Sequence, residues 1–249
     1  MKSKFIPAIL TISLASFLFA GCDKEDETPE NTNNNNAVNT FSYDDAFGVL
    51  VAVKSVSYTS VGGFEVPVEV NSGSAFFPTD AGAQTFSDAG TVSLEGKNLK
   101  RQSNNIYMYD DYLNPLTLSN ITWNVSGNGS IPAFSKTVSR PLPTFSGYSS
   151  LPVSISKATG VSISLGSSVY AADSVIVMIT SSNEAVLKSV AGGTGSVTFS
   201  SSDLSKLAAS NVGSISISPY NLSDETIGGK KYYFVNESSY VKMFINITE

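Results

Sequence analysis

The chain of 249 residues contains no histidine and a single cysteine, Cys22. The missing histidine excludes Ser-His-Asp and Cys-His nucleophile systems, and it removes the imidazole ligands of most zinc and copper sites. With one thiol the chain forms no internal disulfide, so its stability has to come from packing. The chemistry that remains is that of paired carboxylates, serine–lysine dyads, tyrosine and calcium sites built from oxygen ligands.

Charge is also scarce in this sequence. Asp, Glu, Lys and Arg make up 14% of the residues, and the net charge of −6 is mild. No basic patch is present, which argues against a nucleic-acid partner. Ser, Thr, Gly and Asn are abundant instead, as in β-sandwiches whose outer faces carry hydroxyl groups rather than charges. We expect no cofactor.

The longest apolar run lies at the N-terminus. Two lysines precede the stretch Phe5–Phe19, which is short for a membrane-spanning helix and ends in small residues. Residues 18–22 then spell Leu-Phe-Ala-Gly-Cys, the pattern of a lipoprotein cleavage site. This predicts a signal peptide over residues 1–21 and a diacylglyceryl, palmitate-type lipid on Cys22, whose two chains would anchor the protein stably to a membrane. The alternative is an ordinary signal peptide with a chance cysteine.

An acidic run, Asp23–Glu27, follows Cys22, and residues 28–40 are rich in Asn and Thr. Residues 22–40 have no apolar periodicity and therefore predict a solvated tether. An acidic cluster directly after a lipidated cysteine resembles the surface-export signal of Bacteroidota lipoproteins. The resemblance implies an outer-membrane protein that faces the cell exterior. In enteric bacteria an Asp after the cysteine instead resembles an inner-membrane retention signal.

Residues 41–249 alternate between apolar and polar side chains almost everywhere, which predicts an all-β fold of half-buried antiparallel strands. The continuous apolar run Val175–Ile179 predicts a central core strand. At the C-terminus, the alternation predicts that Val241, Met243, Ile245 and Ile247 share one face. Only residues 202–209 favour a helix, of one or two turns.

Two prolines at 141 and 143 indicate a stiff connector over residues 141–144. We therefore expect two β-sandwich domains, residues 41–140 and 145–249, each about the size of an immunoglobulin domain. The second resembles the Ig-like modules of secreted bacterial proteins. This resemblance concerns architecture alone and carries no catalytic motif.

Residues 107–115 hold the richest cluster of chemistry-bearing side chains. Aromatic rings stack on sugars, and carboxylates and amides bond to hydroxyl groups, so this segment is the candidate ligand-contacting loop. The alternative is a hairpin whose tyrosines cover a core edge and whose Asp-Asp and Asn-Pro pairs make the turn. The aspartates also suit calcium, although the spacing lacks a calcium-loop motif. The candidate site residues are Tyr107, Tyr109, Asp110, Asp111, Tyr112 and Asn114.

Other candidates have simpler interpretations. Trp123 alternates with apolar neighbours, which favours a place in the core over a ligand platform. Two Ser-x-x-Lys matches, residues 154–157 and 239–242, lie in strand patterns, where residues three apart face opposite sides. Adjacent carboxylates occur at 44–45 and 224–225. Neighbouring residues on a strand point to opposite sides, so neither pair by itself suits glycoside hydrolysis, and only pairing between distant carboxylates stays open.

Three functions follow, in order of preference. The first is a surface lipoprotein whose domains form a non-catalytic binding module for a glycan or an envelope protein. This layout resembles the accessory glycan-binding lipoproteins of Bacteroidota nutrient-uptake systems. The second is an adhesin or fimbria-like structural subunit, in which the terminal strand 240–248 would be exchanged between copies. The third is a glycan hydrolase that uses two carboxylates.

Overall fold

The structure, a computed structural model, describes residues 44–61, 64–182 and 184–249. Cys22, the predicted signal peptide and the predicted tether lie outside these residues. The fold is all-β, as the alternation predicts, and within the described ranges one short helix and two 3-10 turns interrupt the strands. The strands are β1 Ala46–Val61, β2 Phe64–Phe76, β3 Val92–Leu94, β4 Lys97–Asn98, β5 Lys100–Arg101, β6 Tyr107–Met108, β7 Thr122–Val125, β8 Phe134–Thr137, β9 Thr144–Phe145, β10 Ser154–Ser156, β11 Val161–Ser164, β12 Val169–Tyr170, β13 Ser174–Thr180, β14 Ala185–Ala191, β15 Ser196–Phe199, β16 Ser210–Ile227 and β17 Lys230–Thr248; the helix is α1 Ser201–Leu204, and the 3-10 turns are Tyr148–Ser150 and Gly166–Ser168.

The largest sheet has nine strands, in the order β14-β13-β16-β17-β1-β2-β6-β5, with β10 beside the end of β17. Two long antiparallel hairpins, β1–β2 and β16–β17, form its centre. Gly228 and Gly229 turn the second hairpin, and both have positive φ, which matches the twist of the flanking strands. Because β17 pairs in parallel with β1, the first and last described strands lie side by side.

Two hydrophobic cores lie against one face of this sheet. In the first core, Leu50 and Phe234 of the large sheet pack with Trp123 of the four-stranded sheet β4-β3-β7-β8. In the second core, Ile217 packs with Phe199 of the two-stranded sheet β11-β15. Trp123 is fully buried, which confirms its predicted place in the core. The predicted central strand over Val175–Ile179 is also confirmed, since β13 lies between β14 and β16.

The connector between the two cores is fixed to the sheet by two paired asparagines. Asn221 and Asn236 are cross-strand partners in the β16–β17 hairpin. Their side-chain amides donate to the carbonyls of Pro141 and Arg140, at 2.9 and 2.7 Å. The β16–β17 hairpin itself contributes residues to both cores. The division into separate Ig-like domains, 41–140 and 145–249, therefore stays a prediction, and a shared hairpin spans the proposed boundary.

Two local predictions are corrected by the structure. The pairs Ser214–Met243 and Gly213–Ile245 leave Phe244 as an extra residue, so a β-bulge shifts the alternation of β17. As a result Ile245 is buried in the second core while Met243 is half-buried on the other side, and the predicted common face of residues 241–247 is wrong. The helix predicted over 202–209 exists, but it covers Ser201–Leu204 and is capped by Ser200.

Candidate functional site

The predicted site at residues 107–114 divides into a buried part and an exposed part. Tyr107 and Tyr109 are buried in the first core. A ring in that position cannot stack on a sugar, so these two tyrosines behave as the core-covering alternative expects. Asp110, Asp111 and the residues up to Asn114 lie on the surface. The structure thus leaves a turn, rather than an aromatic platform, for contact with a ligand.

The hydroxyl of Tyr107 completes a small polar network at the edge of the core. It accepts a hydrogen bond from the backbone N–H of Ala89 at 2.9 Å and lies 2.9 Å from Asp88 Oδ1, to which it can donate. Burial raises the pKa of Tyr107. The N–H of Gly90, together with this hydroxyl, holds the pKa of Asp88 below its usual range. Asp88 also pairs with Arg101. This network fixes the backbone at the edge of the core, and its two charged members, Asp88 and Arg101, are paired with each other.

The carboxylate of Glu95, in the turn between β3 and β4, holds one side of the exposed loop. It accepts hydrogen bonds from the N–H of Thr117 at 2.9 Å and the N–H of Asn120 at 3.2 Å. Partial burial alone would raise the pKa of Glu95, but hydrogen bonds from the backbone of Leu118, Thr117 and Asn120 outweigh it and lower this pKa. Glu95 therefore stays ionised and organises three backbone donors.

Lys97, two residues further on, holds the other side of the same loop. Its ammonium group donates to the carbonyls of Asn114 at 3.0 Å and Pro115 at 2.6 Å. The hydroxyl of Tyr109 donates to the same Asn114 carbonyl. The N–H of Asn114 closes a turn onto the carbonyl of Asp111 at 3.2 Å. We call residues 110–120 the clamped loop, since Glu95 and Lys97 fix it from both sides.

The tip of the clamped loop is apolar and fully accessible. Leu113 is 99% exposed and Tyr112 is 58% exposed. Asp110 lies beside them and meets Lys100 at 3.3 Å, while Asp111 is exposed. The tip therefore offers an apolar contact flanked by carboxylates. Since the loop is already ordered by hydrogen bonds, binding through it would lose little conformational entropy.

A shallow groove of about 400 Å³ lies on the four-stranded sheet β4-β3-β7-β8, whose β3–β4 turn carries Glu95. Hydroxyl and amide groups surround the half-buried ring of Phe134, which packs on Tyr232 at 5.1 Å between ring centroids. Sequence reasoning missed this groove, because its residues come from three segments that each look like an ordinary outward strand face. The lining residues are Thr91, Ser93, Asn124, Val125, Ser126, Ala133 and Phe134.

The structure also joins two acidic positions that the sequence shows only separately. Asp45 and Asp224 approach the same ammonium group, that of Lys231, at 3.1 and 3.6 Å. Tyr233 donates to Asp45 at 2.7 Å, and this bond, together with Lys231, lowers the pKa of Asp45. Glycoside hydrolysis needs one carboxyl group that stays protonated. Asp45 is held ionised, so this cluster does not favour the hydrolase hypothesis.

The remaining candidate motifs are engaged elsewhere. Lys157 pairs with Glu249 at 3.1 Å, and Lys242 donates to the carbonyl of Leu151 at 2.8 Å, so neither Ser-x-x-Lys match forms a dyad-like arrangement. Over the described ranges, no three acidic or cysteine side chains group in a way that would hold a metal ion, and the calcium alternative gains no support.

Comparison with known proteins does not identify this arrangement: no family profile, no curated protein and no solved structure matches the chain. Within the part of the chain that the structure describes, no helix has the length and apolar character needed to cross a membrane. The resemblance to Bacteroidota surface lipoproteins depends on residues 18–27 and stays a prediction.

Proposed function

We propose that this protein is a lipid-anchored outer-membrane protein whose β body is a non-catalytic binding module for an envelope partner, a protein or a glycan. The observation that carries the proposal is the clamped loop, which presents Tyr112 and Leu113 to solvent on a backbone fixed by Glu95 and Lys97. The lipobox ending at Cys22 and the acidic run after it support the location on the cell surface.

The chemistry of the tip supports binding rather than catalysis. Tyrosine side chains that protrude from a rigid backbone, as Tyr112 does, are typical anchors of interfaces, because a few such residues supply most of the affinity. Asp110 and Asp111 add hydrogen-bond acceptors for amide or hydroxyl donors. The chain contains no histidine, and Asp45, which lies elsewhere in the body, is held ionised by Tyr233 and Lys231, so neither supports acid–base catalysis at neutral pH.

Photo-crosslinking on intact cells tests the loop. A photoreactive amino acid replaces Leu113 in the lipidated protein, and the matched control carries it at Val153, which is exposed elsewhere. We expect one defined crosslinked product from position 113 that disappears with Asp111→Ala, and none from position 153. Equal products from both positions would show that the loop has no special contact.

A glycan array with the lipid-free protein distinguishes the two kinds of partner. Tyr112→Ala removes the accessible ring, and Tyr170→Ala is the matched control, since Tyr170 is also an exposed tyrosine but lies on another strand, β12. Glycan binding that is lost in the first variant and kept in the second would identify a carbohydrate module. Binding that both variants keep would place any glycan site away from the loop.

Surface display needs its own test. Deleting residues 23–27 should protect the protein from protease added to intact cells, while the undeleted protein is degraded. Unchanged accessibility would remove the acidic run as an export signal, without affecting the binding proposal.

One observation favours the structural-subunit alternative. β14 is an edge strand of seven residues, and its single charged side chain, Lys188, is already paired with Asp203 at 2.8 Å. A regular edge with little free charge is a template for adding a strand from another chain. The terminal strand β17, in contrast, pairs on both sides within this chain. Concentration-dependent oligomers that Leu187→Lys abolishes would favour this alternative.

A further inference from the structure

Two β-bulges lie opposite each other where β16 and β17 pair beside the second core. On β17 the extra residue is Phe244, and on β16 Asn211 and Val212 together face the single residue Asn246. A bulge bends its strand and often re-aims a side chain. Here each bulge presents an apolar side chain to solvent, since Phe244 is 72% exposed and Val212 is 57% exposed.

The backbone of Phe244 has a conformation that its side chain disfavours. Its φ is 60°, in the left-handed region that bulky residues rarely adopt. Glycine is the usual residue where the extra position of a bulge has this conformation. Because most of Phe244 is exposed, burial of its ring does not offset the strain. Backbone strain of this kind is concentrated at active sites and ligand-binding sites.

Two asparagine amides lie close to Phe244 in the sheet. Ile245 and Ile247 point into the second core, so Asn246 between them points to the exposed side of β17. Asn211 lies across from Asn246 on β16 and is exposed as well. Within the described ranges neither side-chain amide forms a hydrogen bond, and an amide can both donate and accept. The two bulges thus bring an exposed ring and two uncommitted amides to adjacent positions in the sheet.

We propose that Phe244, Asn246 and Asn211 form a binding site for an uncharged polysaccharide. A sugar ring has an apolar face of C–H groups, which stacks on an aromatic ring, and a rim of hydroxyl groups, which bond to amides. Residues two apart on a strand are about 7 Å apart, so the amide of Asn246 is within reach of the rim of a sugar that stacks on Phe244. Since the site lies on an open strand surface, it suits a sugar chain rather than an enclosed single sugar.

The charges around the site favour an uncharged ligand. The nearest charged side chains along β17 are already engaged: Lys242 donates to the carbonyl of Leu151 at 2.8 Å, and Glu249 pairs with Lys157 at 3.1 Å. An anionic membrane surface or an acidic polysaccharide is attracted by free Lys and Arg side chains, which β17 does not supply here. The site lies beside the second core and the clamped loop beside the first, so the proposal does not depend on the loop or on its partner.

Binding to immobilised polysaccharides tests the proposal. The full chain with Cys22→Ser, which carries no lipid, is applied to three uncharged polysaccharides (a glucan, a mannan and a galactan) and to a charged polyuronate. We expect binding to at least one uncharged polysaccharide, and we expect Phe244→Gly to weaken it about tenfold or more, because the stacking ring is lost. Phe244→Tyr keeps a ring and should bind as the parent does. Asn246→Ala should weaken binding about two- to tenfold, through the loss of one hydrogen bond.

Thermal unfolding separates lost binding from lost folding. Glycine tolerates a positive φ, so Phe244→Gly should unfold at a midpoint no lower than that of the parent, and a lower midpoint would refute the strain argument. Tyr112→Ala in the clamped loop is the matched control and should leave polysaccharide binding unchanged. If Tyr112→Ala abolishes the binding and Phe244→Gly keeps it, the clamped loop is the glycan site and this proposal is wrong. Binding to the polyuronate alone, or to none of the four polysaccharides, would also overturn it.

Discussion

Replacing Glu95 by Gln removes the charge of the clamp and keeps the length of the side chain. In the parent protein the carboxylate accepts from the N–H groups of Thr117 and Asn120. The amide oxygen of Gln can accept one of these hydrogen bonds, but its NH₂ group is a donor and faces a second donor. The variant therefore loses about one charge-assisted hydrogen bond and weakens another.

The expected effect on stability is moderate. A hydrogen bond to a charged group contributes about 1.5–3 kcal/mol, and the partial exposure of Glu95 reduces that value, so we expect a loss of about 2 kcal/mol at neutral pH. Urea unfolding of the lipid-free Cys22→Ser protein measures the free energy of unfolding. Amide hydrogen exchange gives the local effect, and the N–H groups of Thr117 and Asn120 should exchange about thirtyfold faster in the variant.

The dependence on pH gives the sharper test. Folding lowers the pKa of Glu95. Its contribution to the free energy of unfolding is therefore fully present above the ordinary pKa of 4.5 and is lost as the pH falls through the lower, folded-state pKa. The difference in free energy of unfolding between the parent protein and Glu95→Gln should therefore be large at about pH 7 and should shrink steadily below about pH 4. Glu65→Gln, at an exposed position on β2, is the control and should change little at either pH. A difference that is the same at both pH values would refute the charge-based account of the clamp.

Three other predictions concern the fold. Tyr107→Phe should lower the free energy of unfolding by about 1–3 kcal/mol, because it leaves the buried N–H of Ala89 without its acceptor, whereas Tyr112→Phe at the exposed tip should stay within about 0.5 kcal/mol. Asn236→Ala should lower it by about 1–2 kcal/mol and speed hydrogen exchange near Arg140, whose carbonyl it releases. The fragment 145–249 should lack a cooperative unfolding transition and dispersed NMR signals, since β17 loses its partner β1; a well-folded fragment would instead support the two-domain prediction.

Local features of this fold could be predicted from the sequence because period-two alternation reports directly which side chains face a core. The burial of Trp123 and the central position of Val175–Ile179 follow from that signal alone. The bulge at Phe244 could not be predicted in this way, because it depends on how β17 pairs with Gly213 of β16. The alternation remains intact in the sequence while the structure shifts it by one residue.

The candidate site was harder to predict, since its parts meet only through long-range pairing. The cluster at 107–114 has the same residue types whether its tyrosines bind a ligand or fill a core; in the structure Tyr107 and Tyr109 fill the core, while Tyr112 stays exposed. Glu95 and Lys97 carry no motif, yet they lie about twenty residues before the loop that they hold. The sequence alone does not indicate that the turn between β3 and β4 brings these two side chains to the loop.

Two residues of the clamp, one on each side of the hydrogen bonds, have an unusual backbone conformation. Glu95 and Leu118 both have positive φ, at 53°, a conformation that side chains of their size rarely adopt. Gly at position 95 would remove the strain in the turn, which resembles the type I′ turns that favour Asn and Gly. Glu at this position instead places its carboxylate within hydrogen-bond distance of the N–H groups of Thr117 and Asn120. Strain of this kind persists where the surrounding contacts outweigh it, and here these contacts are the hydrogen bonds to Glu95 and the packing of Leu118 in the first core.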